Sequence, residues 1–285
     1  MCLTLTDASV EIEGRTVLQQ LDVTIELGNW VSVIGETGAG KSTFLSVLKG
    51  LLPLSGGTYT CMGTKVGVNQ KEMPVSIRDI GMVFQYPEKQ LFQTTAYKEL
   101  AFGLKQKRLS KQEINETIRA SIQQFGLNEA ILKKSPFELS GGQRRRLALA
   151  SILITNPDIL LLDEPAVGLD PKAKKSILQF MKQWQMKGER TVVFISHQME
   201  DVMHYSEEVI VLHQGRMKTQ MASDTLFLHH PELLHENGLL LPEAIQLLHY
   251  VKQKTNNHME LETASETAIF SAVHDALHVE EEEYG

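Results

Sequence analysis

Apolar and polar residues alternate over the first thirty positions of the chain, with Val10 and Ile12, then Leu21, Val23, Ile25 and Leu27, on one side of the pattern. A period of two predicts β-strands with one face buried. Three later stretches differ in kind. Residues 31–34 (VSVI), 159–162 (ILLL) and 191–195 (TVVFI) are nearly unbroken apolar runs, as in strands buried on both faces of a parallel sheet. Between the first two runs the period lengthens. Residues 111–125 predict an amphipathic helix ended by Gly126, residues 143–153 predict another, and 88–155 is mostly helical. Residues 208–211 and 216–219 bracket a Gln214-Gly215 turn and predict a hairpin, and from about 221 the pattern is helical again, with one helix over 243–252. The architecture expected is α/β: a strand-rich start, a sheet core, a helical insert and a small helical end.

Each unbroken run leads into residues that carry chemistry. After 31–34 come Gly35, Glu36, Thr37, Gly38, Ala39, Gly40, Lys41 and Ser42, the full pattern G-x-x-x-x-G-K-[ST], and then a helix over 42–49 stopped by Gly50 and Pro53. Three glycines let the backbone curl around phosphates, and the helix N-terminus offers unpaired N–H groups and partial positive charge. Lys41 supplies a full charge to the β/γ oxygens, and the Ser42 hydroxyl is placed to ligate Mg²⁺. The run 159–162 ends in Asp163 and Glu164, two carboxylates that are costly to desolvate unless they have work there. The run 191–195 leads through Ser196 to His197 at the carboxyl edge of the sheet, where open α/β folds bind ligands; a γ-phosphate sensor fits that position.

Beside these stands Leu139-Ser140-Gly141-Gly142-Gln143, and with it the chain resembles the ATP-binding cassette (ABC) ATPases from about residue 3 to residue 220. The resemblance implies a P-loop NTPase fold of the ABC nucleotide-binding type. That fold has a mixed-sheet core, an N-terminal antiparallel β subdomain and a helical subdomain (about 88–155) carrying the signature. A C-terminal helical extension (221–254) and an acidic, flexible tail (255–285) complete the organisation expected for residues 1–285. It further implies that Gly35 to Thr43 is the Walker A loop. Gln85 is then the Q-loop glutamine that joins Mg²⁺ and the attacking water, Asp163-Glu164 is Walker B with Glu164 as catalytic base, Gly168-Leu169-Asp170 is the D-loop, and His197 is the switch histidine. The bound species implied are ATP and Mg²⁺, with Ser42, Gln85 and Asp163 around the metal. Ser140, Gly141, Gly142 and Gln143, as the signature, would close on the γ-phosphate of another subunit, so that one chain cannot complete a site alone. Arg144-Arg145-Arg146 reads as a solvated helix face near the incoming phosphates.

A narrower likeness surrounds Gln85. The segment from Gln85 to Phe92 (QYPEKQLF), Thr94-Thr95, and Leu100-Ala101-Phe102-Gly103 look like the energy-coupling factor (ECF) ATPases, as do 135–138, 166–170 and 238–242. That resemblance implies a second ATPase subunit (a paralogue or a second copy), an integral-membrane scaffold and, through it, a membrane substrate-binding subunit for a vitamin or other micronutrient. The alternatives are another ABC importer, such as one for cobalt or nickel, and a soluble ABC ATPase acting on ribosomes or DNA. Against the last, there is one cassette, and the gap from Walker A to signature is too short for a coiled coil. One departure concerns the base: many ABC ATPases stack adenine on an upstream aromatic, whereas Ala8-Ser9-Val10-Glu11-Ile12 has none and leaves the task to Val10 or Ile12. Ala166 stands where threonine is commoner.

Charge and composition narrow the setting. The net charge of −7 is carried entirely by residues 255–285, whose eight acids meet no Lys or Arg and leave the rest of the chain at +1. A nearly neutral body lacks the basic face that nucleic-acid binding requires. The acid-rich end reads as solvated, with a short amphipathic helix over 268–279 as the alternative, placing Ile269, Val273, Ala276 and Leu277 on one side. No run of 18 apolar residues spans a bilayer, the start is not a signal peptide, and Cys2 and Cys61 form no framework. The expected location is the cytoplasmic face of the membrane, reached through partners.

Overall fold

The structure, a computed structural model, describes residues 2–67, 77, 79–107, 109–255 and 259–284, with side chains described as far as 277. In chain order the first elements are β1 (Cys2–Ile12), β2 (Arg15–Glu26), β3 (Trp30–Ile34), α1 (Lys41–Lys49), β4 (Gly56–Cys61), β5 (Thr64–Lys65) and β6 (Ile80–Val83). Then come α2 (Ala96–Leu104), α3 (Lys111–Gln124), α4 (Gly141–Leu153), β7 (Ile159–Asp163), α5 (Pro171–Gly188), β8 (Thr191–Ile195) and α6 (Met199–Tyr205). The last are β9 (Glu208–His213), β10 (Arg216–Ala222), α7 (Ser223–His229), α8 (Glu232–Glu236), α9 (Glu243–Thr255) and α10 (Glu266–Tyr284). These divide into two compact units, Met1–Glu72 with Thr191–Gly285, and Met73–Arg190.

In unit one the alternating residues form an antiparallel sheet in the order β2-β1-β4-β5. The β1–β2 turn puts Glu13 and Gly14 at φ 50° and 74°, and the β9–β10 turn puts Gln214 and Gly215 at 48° and 76°. Two consecutive positive φ values match the right-handed twist of a hairpin. A second sheet has β3 between β8 and β9, parallel to both, with β10 antiparallel on β9. All five residues of β3 and of β8 are buried, as unbroken runs require. Trp30 is fully buried, edge-on to Phe194 and stacked on Tyr205 with ring centroids 5.7 and 5.6 Å away.

At the acidic end the solvated reading is corrected and the alternative, a helix, is what forms. The segment is helical from Glu266, and Ile269, Val273 and Ala276 are buried against Ile245, Leu248 and Val251 of α9. Before α10, Asp224 accepts the Ala264 N–H at 2.7 Å, tying the approach to α7. Spacing at i, i+4 and i+7 supplies an apolar stripe beneath the acids. Leu277, expected on the same side, is exposed instead.

In unit two β6 and β7 pair in parallel. Its helices begin at side-chain caps: Thr95 for α2, Ser110 for α3, Ser140 for α4 and Asp170 for α5. The unit reaches beyond the expected helical insert to include β6, β7 and α5.

Candidate active site

Strand register assembles the groups in each unit. In unit one Val33 pairs with Ile195 and Ile34 with Val211. Two residues past the first pair lie Gly35 and His197, which leave the sheet from the same edge. One residue past the second, Gly35 faces Leu212, and a Cβ at Gly35 would sit 2.0 Å from the Leu212 carbonyl oxygen. Only glycine fits, at φ 147°. The next step in register brings Glu36 to His213, with Oε1 and Nδ1 3.4 Å apart, a pair the sequence did not announce. Gly35→Ala must therefore displace the loop, and ATP turnover is expected to fall by on the order of 100-fold, the scale of a misplacement near 1 Å; steady-state phosphate release measures it.

Gly38 and Gly40 also have positive φ, and beyond them α1 starts without a side-chain cap and without an acid in its first turn. Its N-terminus keeps an uncompensated partial positive charge, while α2 to α5 are all capped by their own side chains. Lys41 is buried, and its ammonium donates to the carbonyls of Gly35 and Glu36 at 2.7 and 2.8 Å. An uncapped helix N-terminus beside a buried cation suits a polyanion. Ser42 is exposed, Thr43 half-buried and Thr37 exposed at the rim, and Ala39 is buried beneath it. Val10 is buried in the sheet core, whereas Ile12 is exposed at the β1 end. Of the two candidates for contact with a base, only Ile12 is accessible.

Unit two repeats the logic. Val83 pairs with Leu162, so Gln85 and Glu164 lie two residues past a matched pair. The Gln85 amide donates to the Glu164 carboxylate at 3.2 Å. Asp163, the last residue of β7, is buried, and Glu164 has φ 47°. Tyr86, beside Gln85, has φ 58°. Strained non-glycine backbone costs about 1–3 kcal/mol per residue and gathers where geometry serves function. The next α-helix after Asp163 and Glu164 begins at Pro171, capped by Asp170.

At the signature, Ser140 and Gln143 form a reciprocal capping box on α4. Gly141 and Gly142 are exposed, and a Cβ on either would meet nothing within 4 Å. Packing among the described residues does not demand glycine at either position. The arginine run is corrected. Arg145 is buried and donates to the carbonyls of Pro165 and Val167, and Arg146 reaches the Gly126 carbonyl at 3.3 Å. Its position three and four residues before buried Ala148 and Leu149 was the available signal. Glu99, also unanticipated, is buried and accepts the N–H groups of Phe92 and Gln93 at 3.0 and 2.8 Å, pinning the segment after the Q-loop.

Hard oxygen donors suit Mg²⁺: the Ser42 hydroxyl, the Gln85 carbonyl and the Asp163 carboxylate are of that kind. Among the described residues no three of His, Cys, Asp and Glu gather into a metal cluster, so such an ion would depend on phosphate oxygens for further ligands.

The model of the ABC transporter family matches residues 18–167. The energy-coupling factor transporter ATP-binding protein EcfA2 of Acetivibrio thermocellus is 44% identical over 241 residues, 84% of each chain. The chain belongs to the ABC transporter family. Among solved structures it is similar to cbiO1 of Clostridium perfringens, described as part of the ABC transporter complex cbiONQ (28% identity, TM-score 0.71, covering 87% of this chain and 98% of that one). A second is MJ0796, described as a bacterial ABC transporter cassette in a dimeric structure (26% identity, TM-score 0.67, 78% and 98% covered). As an ABC protein the chain is an ATPase working on ATP with Mg²⁺.

Proposed function

We propose that this ABC ATPase is the ATP-hydrolysing subunit of an energy-coupling-factor importer. In this reading it sits at the cytoplasmic face of the membrane and pairs head to tail with a second ATPase around two ATP molecules. Opening and closing of the pair then drives uptake of a vitamin or other micronutrient through an integral scaffold and a membrane substrate-binding subunit. The observation that carries the transport part is an aromatic pair left at the surface immediately after the Q-loop. Phe92 and Phe102 are 60% and 46% exposed, packed edge-on with centroids 5.0 Å apart. They line a cavity of about 190 Å³ with Pro87, Leu91, Ala148 and Ile152. Exposed apolar clusters of this kind mark docking sites. No helix among the described residues is long and apolar enough to cross a membrane, so membrane attachment in this reading comes through partners.

In the proposed chemistry, water attacks the γ-phosphorus and ADP leaves, giving inorganic phosphate. Ser42, Gln85 and Asp163 would hold Mg²⁺, which when bound would supply charge neutralisation at the phosphates. Lys41 and the α1 N-terminus bind the β- and γ-oxygens. Glu164 orients the attacking water and takes its proton, kept in place by Gln85, and His197 senses the γ-phosphate. Ser140, Gly141 and Gly142 meet the γ-phosphate bound by the other subunit. Positioning and charge complementarity account for most of the catalysis.

The experiment is co-purification from membranes. The parent chain is expected to bring down very hydrophobic integral subunits. Phe92→Ala with Phe102→Ala is expected to weaken that capture at least about tenfold, as loss of buried aromatic anchors does, with basal ATPase retained. Ribosomes or DNA captured in place of membrane subunits would overturn the assignment.

A further inference from the structure

One guanidinium in unit two touches the segments that carry three different motifs. Arg145 lies on α4 five residues after Ser140, with only 5% of its surface exposed. Its Nε donates to the Pro165 carbonyl at 3.2 Å, with Nη2 on the same oxygen, and its Nη1 donates to the Val167 carbonyl at 2.9 Å. Pro165 directly follows Glu164, and the Val167 N–H in turn donates to the Glu164 carbonyl at 3.3 Å. On its other side, Nε lies 4.0 Å from Oε2 of Glu88, in the 3-10 turn Pro87–Gln90 that follows Gln85. That carboxylate oxygen is buried and accepts no hydrogen bond.

The chemistry of these partners is specific. Two carbonyls of one loop and one carboxylate of another are all acceptors, and proline at 165 removes a donor the loop could have used. A rigid planar fork with five N–H groups meets such a set; a flexible ammonium presents a point charge and cannot hold two carbonyls in one plane. The glycines at 141 and 142, where an added Cβ would meet nothing within 4 Å, lie one turn before Arg145 on the same helix. A displacement of the helix start by an arriving phosphate is carried by a rigid helix to the guanidinium.

We propose that Arg145 is a positioning residue that couples the signature segment to the carboxylate of Glu164, with Glu88 as a second arm reaching the Q-loop turn. Through this fork, seating of the signature on a neighbour's nucleotide sets the peptide on which Glu164 stands, and the same event is felt by the segment leading to Phe92. This rests on Glu164 orienting the attacking water, as proposed above.

The test uses the full chain with whichever ATPase partner co-purifies. Arg145→Lys keeps charge and length but removes the fork, and kcat is expected to drop at least about tenfold while ATP affinity stays within about twofold. Glu88→Gln is expected to lower kcat by about threefold, and the double variant to be no slower than Arg145→Lys alone, since the two act through one contact. A parental kcat in Arg145→Lys overturns the proposal. So does loss of kcat together with ATP binding and melting temperature, which marks a merely structural arginine. Should Arg145→Lys fail to fold, Glu88→Gln decides: lowered kcat with retained ATP affinity supports the coupling, and parental kcat overturns it. Glu164→Gln is measured alongside. Normal turnover there removes the role of Glu164 itself, whereas an inactive Glu164→Gln beside a fully active Arg145→Lys removes only the coupling.

Discussion

Glu164→Gln is expected to bind ATP as tightly as the parent, to turn over about 10²- to 10⁴-fold more slowly, the range lost with a general base, and to accumulate as a closed, ATP-bound dimer. The substitution is conservative where it matters for structure. The carboxamide keeps the size of the carboxylate and retains an oxygen that can accept from Gln85, whose amide now donates at 3.2 Å. The φ of 47° at position 164 is a backbone property that glutamine shares with glutamate at equal strain. What disappears is the negative oxygen that takes a proton from water. Nucleotide binding is expected to be retained because the substitution leaves Lys41 and its contacts to the loop of Gly35 and Glu36 in place. Phosphate-release kinetics and size-exclusion chromatography with ATP read the two halves of the expectation. Normal turnover would remove Glu164 as the base.

Lys41→Ala has the opposite signature: the nucleotide is lost before chemistry begins. Lys41 is buried and its ammonium donates to two carbonyl oxygens of the loop it closes, those of Gly35 and Glu36, at 2.7 and 2.8 Å. Removing it takes a full charge from the socket and leaves two inward carbonyls without their donor. Hydrogen bonds to charged groups contribute about 1.5–3 kcal/mol each, so ATP affinity is expected to fall by about 10- to 100-fold or more, with turnover following. Titration with a fluorescent nucleotide measures it. Unchanged ATPase activity would contradict the cradle. Together the two variants separate capture from cleavage, since one binds without turning over and the other does neither.

The site was legible in the sequence where strands buried on both faces lead into it. The runs at 31–34, 159–162 and 191–195 are short and aliphatic, as strands buried on both faces are, and parallel register then carried Gly35 beside Leu212 and Gln85 beside Glu164. The hairpin at Gln214-Gly215 and the helix stop at Gly50 followed from local backbone preference and were equally readable. Misreadings arose where a side chain's partner comes from a distant loop. Arg145 sits in a run of three arginines that looks solvated, and its acceptors lie twenty or more residues onward. At the acid-rich end the charge favoured a solvated reading, and the alternative helix is what forms: Ile269, Val273 and Ala276 are buried, while Asp275 between them is exposed. The adenine contact was left between Val10 and Ile12 because alternation assigns both to one face. Their difference in exposure comes from position, since Ile12 ends its strand at the hairpin.

The most direct test of the shared site is a structure of Glu164→Gln, with its ATPase partner, bound to ATP. The result expected is a twofold pair in which each γ-phosphate lies between Lys41 of one chain and the Ser140-Gly141-Gly142 start of the facing chain's α4. A single chain enclosing its triphosphate, with the exposed glycines of the signature facing only water, would contradict it.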